Sequence, residues 1–211
     1  MLIHPWDAPL DDDEWREWLA QGRDFGQLIG SGAEWPVVVP THFVLDGDLL
    51  LVHLARPNPI WTSIESSGRV VLSVIDDYAY VPGYWRAAPG TPEGEGVPTS
   101  YYSAVQLRCR AELVDDPAEK AALLAKQLRH FQPEGRYAEP TAEDGGAHAR
   151  LLSGIRGVRL SVVEARAKFK FDDHKPAALR QTISGRLQQR NGGRDATASA
   201  EQLRRMSRKE G

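Results

Sequence analysis

The pattern of apolar and polar positions predicts short strands in the first half of the chain, long alternating strands in its middle and helices at both ends. Trp15, Trp18 and Leu19 recur at helical spacing behind the acidic run Asp11 to Asp13, so the first element is an amphipathic helix ending near Gly22 with its tryptophans in the core. Strands are predicted over 25–29, 35–45 and 49–54, and Asp46-Gly47 between the last two is a two-residue hairpin signal that places His42 and His53 on neighbouring strands. Pro59 suits a first helical turn, and Ile60, Trp61 and Ile64 form an apolar face that packs back on the sheet before Gly68. A strand resumes over 69–75, and 78–81 continues it or begins the next. Residues 82–98 form a Pro/Gly-rich loop of a length usually reserved for function or mobility.

From Tyr101 to Val114 the alternation sets Ala104, Gln106, Arg108 and Arg110 on one face and Val105, Leu107, Cys109 and Ala111 on the core face. Asp116-Pro117 opens a helix through Leu128, and 141–152 reads as a weaker helix containing Gly145 and Gly146. Residues 155–165 return to the sheet, and 168–171 lead into a helix over 176–189. Asn191-Gly192-Gly193 is a flexible break, after which Ala198 to Lys209 forms a basic helix that docks on a partner subunit or stays mobile. The expected organisation is one domain over 1–190 followed by a basic C-terminal tail or helix over 191–211.

Composition narrows the partners. A length of 211 residues supports one sizeable core, and a net charge of −3 gives no global field for nucleic acid or an anionic membrane. The lone Cys109 forms no intrachain disulfide and reads as a small buried hydrophobe. No apolar run approaches the ~20 residues of a membrane span and residues 1–10 lack a signal-peptide pattern, which gives a cytoplasmic expectation with no membrane partner.

The candidate chemistry concentrates at His53-Leu54-Ala55-Arg56-Pro57-Asn58-Pro59-Ile60-Trp61, where a strand ends in a cation and polar groups and a helix opens, as in an anion cradle. Arg56 suits a phosphate through its guanidinium fork, with N–H groups of the helix after Asn58 nearby; the plainer reading is a surface salt bridge. His42 and His53 offer hydrogen bonds, but no third histidine or cysteine stands at metal-ligand spacing, so no metal is expected. Thr62 and Ser63 offer hydroxyls, and Trp61 covers a ring or fills the core. Lys168 and Lys170 alternate with Phe169 and Phe171, giving a small basic face or a solvated strand surface. Tyr78, Tyr80, Tyr84, Trp85, Tyr101 and Tyr102 flank the long loop and could stack on a planar ring or build a dimer seam. Neither a nucleophile elbow nor a dinucleotide fingerprint is present, because Gly30-Ser31-Gly32 lacks its third glycine.

In their order, Pro40-Thr41-His42, the run His53 to Trp61, Val97-Pro98-Thr99-Ser100-Tyr101-Tyr102 and Lys168-Phe169-Lys170-Phe171 resemble the PaiB-like FMN-binding family, whose members are often labelled negative transcriptional regulators. The chain departs from that pattern at Ser100, near Gln106 and at Asp172-Asp173-His174. The resemblance implies a mainly β, α+β fold: the split antiparallel β-barrel of pyridoxamine-phosphate oxidases with flanking helices. It further implies a homodimer holding FMN between subunits, with His42, His53, Arg56, Asn58, Trp61, Thr62, Lys168 and Lys170 as cofactor-binding residues, the two lysines closing over the neighbouring subunit's cofactor. The activity implied is a flavin oxidoreductase with a reduced nicotinamide donor, for which no catalytic acid or base stands out. One alternative is a transcriptional regulator acting on DNA directly or through a partner, favoured only by the basic segment 186–209. A second is haem binding or breakdown, with His42, His53 and His174 as candidate iron ligands.

Overall fold

In a computed structural model, which describes residues 1–88, 90–143, 145–146 and 148–210 (side chains of 209 and 210 excepted), the alternating segments form seven antiparallel strands. These are β1 (Phe25–Gly30), β2 (Val37–His42), β3 (Val44–Asp46), β4 (Leu49–Ala55), β5 (Arg69–Val81), β6 (Thr99–Val114) and β7 (Ile155–Lys170), in the order β2-β1-β5-β6-β7-β4-β3. Five α-helices accompany them: α1 (Glu14–Ala20), α2 (Ile60–Ser67), α3 (Pro117–Phe131), α4 (Ala177–Arg190) and α5 (Asp195–Glu210). The expected α+β split barrel is therefore the observed architecture. The chain divides into two compact units, one of residues 19–74 and 106–165, the other of 1–18, 75–105 and 166–211, so that β5, β6 and β7 contribute residues to both.

In the first unit β2 pairs with β1 from Phe25↔His42 to Gly30↔Val37, and β1 pairs with β5 only from Gln27↔Ser73 to Ile29↔Val71. β3 and β4 form the predicted hairpin, with Asp46 opposite Leu49 and Gly47 in the left-handed region at φ 62°. β2 and β4 are not hydrogen-bonded neighbours, yet they approach because the sheet curls. α2 stops at Gly68, whose φ of 61° suits glycine, and its N–H returns to the Ile64 carbonyl at 2.8 Å. Asp116 caps α3 by accepting the Glu119 N–H at 3.0 Å. Leu123 of α3 then packs on Val44, Leu51 and Val114. Gly157 permits this approach, since a Cβ there would lie 3.1 Å from both Leu123 and Val114.

In the second unit α4 and α5 pack together, burying Ile183, Leu187, Ala198 and Met206. Its centre is ionic. Arg205 is fully buried, donates to both oxygens of buried Glu14 at 2.7 and 2.8 Å and to Asp173 at 2.8 Å, and lies 5.0 Å from the Phe169 ring centroid. Arg180 adds a 2.6 Å contact to the same Asp173. Buried Asp77 accepts from Trp18 Nε1 and Ser103 Oγ, both at 2.8 Å.

Three expectations change, and of the two readings left open for 78–81 the continuous strand is the one that forms. The stretch 35–45 is two strands because the chain changes partner: the Phe43 N–H still follows the β1 register to the Asp24 carbonyl at 2.8 Å, and from Val44, opposite Leu51, the chain pairs with β4. Residues 69–81 form one strand, accommodated by Asp77 at φ 57°. No α-helix forms over the described part of 141–152, which holds only a 3₁₀ turn (Leu151–Gly154): Gly145 at φ 76° and His148 at φ 67° break the helical path, while residues 144 and 147 lie outside the described residues. Finally, α5 is no detached tail, since Ser199, Gln202, Arg205 and Met206 are buried within its own unit.

Removing one member of a buried ionic cluster strands the others. Arg205→Ala should lower unfolding stability by about 3–5 kcal/mol, whereas Arg208→Ala, whose partners Asp11 and Glu17 are exposed, should cost less than about 1 kcal/mol. Urea unfolding of the two variants checks this contrast.

Candidate functional site

The curl of the first unit brings the two histidine strands together. His42, at the end of β2, meets His53 of β4 edge to face with ring centroids 5.3 Å apart, and Phe131 of α3 closes on His42 at 5.1 Å. Gln127, one turn before Phe131, donates through Nε2 to the Leu51 carbonyl at 3.0 Å. That bond turns Oε1 toward His53 Nδ1, 2.5 Å away, so Nδ1 carries the proton and donates. In this tautomer His53 Nε2 is left as an acceptor. Burial lowers the pKa of His42, the charge of His53 lowers it further, and Asp24 opposes both. At neutral pH His42 is a hydrogen-bonding group rather than a cation.

The turn to α2 begins directly after Ala55, β4's last pairing position, and Arg56 is its first residue. Its Nε donates to the Ser153 carbonyl at 2.8 Å and its NH2 lies 3.8 Å from Asp115. Arg156 forms shorter pairs with Asp115 at 2.6 Å and Glu65 at 2.5 Å, and its guanidinium lies 5.3 Å from the Trp61 ring centroid. Hydrogen bonding from Arg156 holds the Asp115 carboxyl below the usual range. Buried Lys120 donates to the Leu152 carbonyl, and burial, ahead of the nearby Arg56 charge, lowers its pKa. Three cations, Arg56, Arg156 and Lys120, thus stand among Asp115, Glu65 and Asp116, the last of which also caps α3. Arg56 is the most open of them, its side chain 49 % exposed against 13 % for Arg156.

The other predicted residues divide. Asn58 Oδ1 accepts the Ile60 N–H at 3.1 Å, so the helix-start donor expected to be open is already engaged by Asn58 itself. Trp61 is core: its ring is buried and Nε1 donates to the Ala55 carbonyl at 2.9 Å, clamping the strand-to-helix turn. Thr62 is exposed, whereas Ser63 is buried beside Gly30, with no hydrogen-bond partner for its hydroxyl among the described residues. Lys168 and Lys170 belong to the second unit. Lys168 is buried, donates to the Leu2 carbonyl at 3.0 Å and lies 3.6 Å from Asp7, and the two ammonium groups stand 5.7 and 5.8 Å from the Tyr102 ring centroid. His174 packs on Trp6 at 4.8 Å.

Gln127, Phe131, Asp115 and Arg156 escaped the sequence reading. Gln127 carried a signal, a polar residue four positions after Leu123 on the buried stripe of α3; the others gain meaning only from strand pairing. Among the described residues no cluster of three or more His, Cys, Asp or Glu could hold a metal ion, and no helix is long and apolar enough to cross a membrane.

Comparison with known proteins places this geometry. The family described as "Putative FMN-binding domain" matches residues 1–164. No curated protein sequence matches the chain. Among solved structures, the FAD and haem binding protein from Mycobacterium smegmatis is similar at a TM-score of 0.60 with 18 % identity, covering 89 % of this chain and 80 % of that one. The flavocytochrome Anf3 from Azotobacter vinelandii is similar at 0.56 with 23 % identity, covering 78 % of this chain and 70 % of that one. At such identities the likeness shows the shared fold.

The histidine pair has a measurable signature. Because the folded-state pKa of His42 lies below its ordinary 6.5, the unfolded chain takes up the proton first, and the stability contributed by neutral His42 is complete above that value and lost as pH falls through it toward the folded pKa. NMR titration should place His42 below 6.5, and His53→Gln should raise it without reaching 6.5, since burial is the larger cause. A His42 pKa at or above 6.5 in the parent protein would contradict this account.

Proposed function

The chain belongs to the FMN-binding domain family, and from that premise we propose that its flavin is anchored by Arg56 beside the His42–His53 pair and serves a flavin oxidoreductase. The observation that carries the reading is the half-exposed guanidinium of Arg56, the most open cation of its cluster, in the same unit as two half-buried imidazoles. The donor set fits FMN in kind: a phosphate needs a cation with unsatisfied N–H groups, and the edges of a flavin ring need neutral donors and acceptors. Arg56 supplies the first through NH1, its Nε and NH2 being held by the Ser153 and Ile155 carbonyls. His42 and His53 supply the second, with the Gln127 contact setting which nitrogen of His53 donates. Thr62 extends the polar rim, and Asn58 and Trp61 act on the flavin by fixing the turn that carries Arg56.

FMN, when bound, supplies the electron or hydride transfer, and the protein supplies binding, orientation and local polarity. Of the lysine pair, Lys170 joins the proposal as a contact to the neighbouring subunit's flavin, because Lys168 is already held by Leu2 and Asp7. A homodimer is part of the same proposal, supported by the exposed Ile75, Tyr78 and Tyr80 along β5. The regulator reading receives less support, since Arg204, Arg205 and Arg208 of the basic segment are engaged by Glu14, Asp173, Asp11 and Glu17. Haem ligation through His174 also receives less, because that ring is stacked on Trp6.

The purified protein should show a flavin absorption spectrum or acquire one on titration with FMN. Arg56→Ala should weaken FMN binding by roughly 10- to 100-fold, the value of a charge-assisted hydrogen bond of about 1.5–3 kcal/mol. Equal affinity in the two proteins would remove Arg56 from the site. Oxidation of a reduced nicotinamide by the FMN-loaded protein tests the activity separately from binding.

A further inference from the structure

A second charged feature of the first unit lies away from these residues. The pairing of β1 with β5 stops at Ile29↔Val71, and Gly30 goes on pairing only with Val37 of β2. The divergence opens a groove of about 630 Å³ with Ile29, Val71 and Val163 among its lining. That volume lies within the range of roughly 300–1,000 Å³ of small-molecule sites.

Three arginines rim it: Arg69, Arg108 and Arg110. The Ala111 N–H donates to the Gly68 carbonyl at 3.0 Å, and an antiparallel register continued from that bond sets Arg110 opposite Arg69 and the exposed Arg108 opposite Val71. The same register sets buried Val70 opposite buried Cys109, which assigns the thiol to the core side, where burial pushes its pKa up to about 12. Arg108 is paired with Glu164 at 2.6 Å. Arg69 and Arg110 are different. Among the described residues neither guanidinium has a hydrogen bond, ion pair or ring contact, and both are exposed. Like charges directly across a strand pair repel, and an anion shared between the two forks reverses the sign of that interaction.

We propose that this groove binds a small organic anion, a carboxylate or phosphate carried on an apolar body, with the anionic head between Arg69 and Arg110 and the body on Ile29, Val71 and Val163. The site is independent of the flavin proposal. Arg69 follows the C-terminal end of α2, whereas Arg56 and Asn58 precede its N-terminal end, and the eight residues of α2 separate the ends by roughly 12 Å.

The test uses the full chain and two fluorescent probes of similar shape, anionic 8-anilino-1-naphthalenesulfonate and neutral N-phenyl-1-naphthylamine, titrated at low salt. The anionic probe should bind saturably, and the double variant Arg69→Gln/Arg110→Gln should weaken it by at least about tenfold, the loss expected for a charge-assisted contact. The neutral probe should bind parent and variant alike. Circular dichroism and thermal melting confirm that the variant is folded, and its FMN titration should match the parent's. Unchanged affinity for the anionic probe would overturn the proposal in favour of a simple apolar patch, and so would competition by FMN, which would place the probe at the flavin site. Absence of saturable binding would overturn it too, and a change of oligomeric mass in the variant would then identify the groove as an interface between copies.

Discussion

Helix α2 and its seat on β1 are the constraint from which the first unit's chemistry follows. Gly30 leaves no room for a side chain: a Cβ there would overlap Ser63 Oγ and lie 2.9 Å from Ile60 Cδ1. The close seat buries Ile60, Trp61, Ser63 and Ile64 and fixes both ends of the helix at once. At one end, Trp61 Nε1 clamps the Ala55 carbonyl and Asn58 caps the Ile60 N–H, which settles where the backbone of Arg56 must run. At the other, Gly68 turns left-handed and delivers Arg69 to the first position of β5. Eight residues therefore determine the position of two separate cationic sites, and neither site needs a strained residue of its own.

Much of this was legible in the sequence, for reasons that differ from residue to residue. The hairpin at Gly47, the alternating core face of β6 and the capped start of α3 follow from local rules of period and backbone freedom, and all formed where those rules put them. The meeting of His42 with His53 was legible only in part. Their strands were expected side by side, whereas β2 and β4 stand near opposite ends of the hydrogen-bonded order and meet through curvature, a property of the whole sheet. Asp115 and Arg156 could not be anticipated, because their contacts with Arg56 and Trp61 span separations that no local pattern encodes. The segment 141–152 failed for the opposite reason: its helical periodicity was local and weak, and two residues at positive φ outweigh it.

The two units use charge in opposite ways. In the second, Asp172 and Asp173 stand where the resemblance leads one to expect another pattern, and the structure gives them work within the fold. Asp172 accepts from Arg86 at 2.8 Å and from the Tyr101 hydroxyl at 3.1 Å, and burial together with that carboxylate raises the Tyr101 pKa. Asp173 holds Arg180 and Arg205. Ions so enclosed contribute less to net stability than to uniqueness, since each mispaired arrangement strands a charge in a medium that solvates it poorly. The groove rim of the first unit instead leaves two cations in water, where keeping them unpaired costs little and recruiting an anion remains open.

The same reasoning separates the roles of the histidines and of Arg56. An imidazole that is neutral at working pH adds direction to a contact but no long-range attraction, and burial keeps His42 in that state. In the proposed flavin site, affinity for a dianionic phosphate then comes from the guanidinium fork of Arg56. In the same proposal, selectivity among phosphorylated ligands falls to the imidazoles, where the proton on His53 Nδ1 is fixed by Gln127 and Nε2 is left to accept. A flavin ring edge carries both donors and acceptors, so an acceptor fixed in this way favours one orientation of the ring over its flip. In the proposal that choice passes through buried Gln127, which donates to the Leu51 carbonyl through Nε2 and accepts from His53 Nδ1 through Oε1.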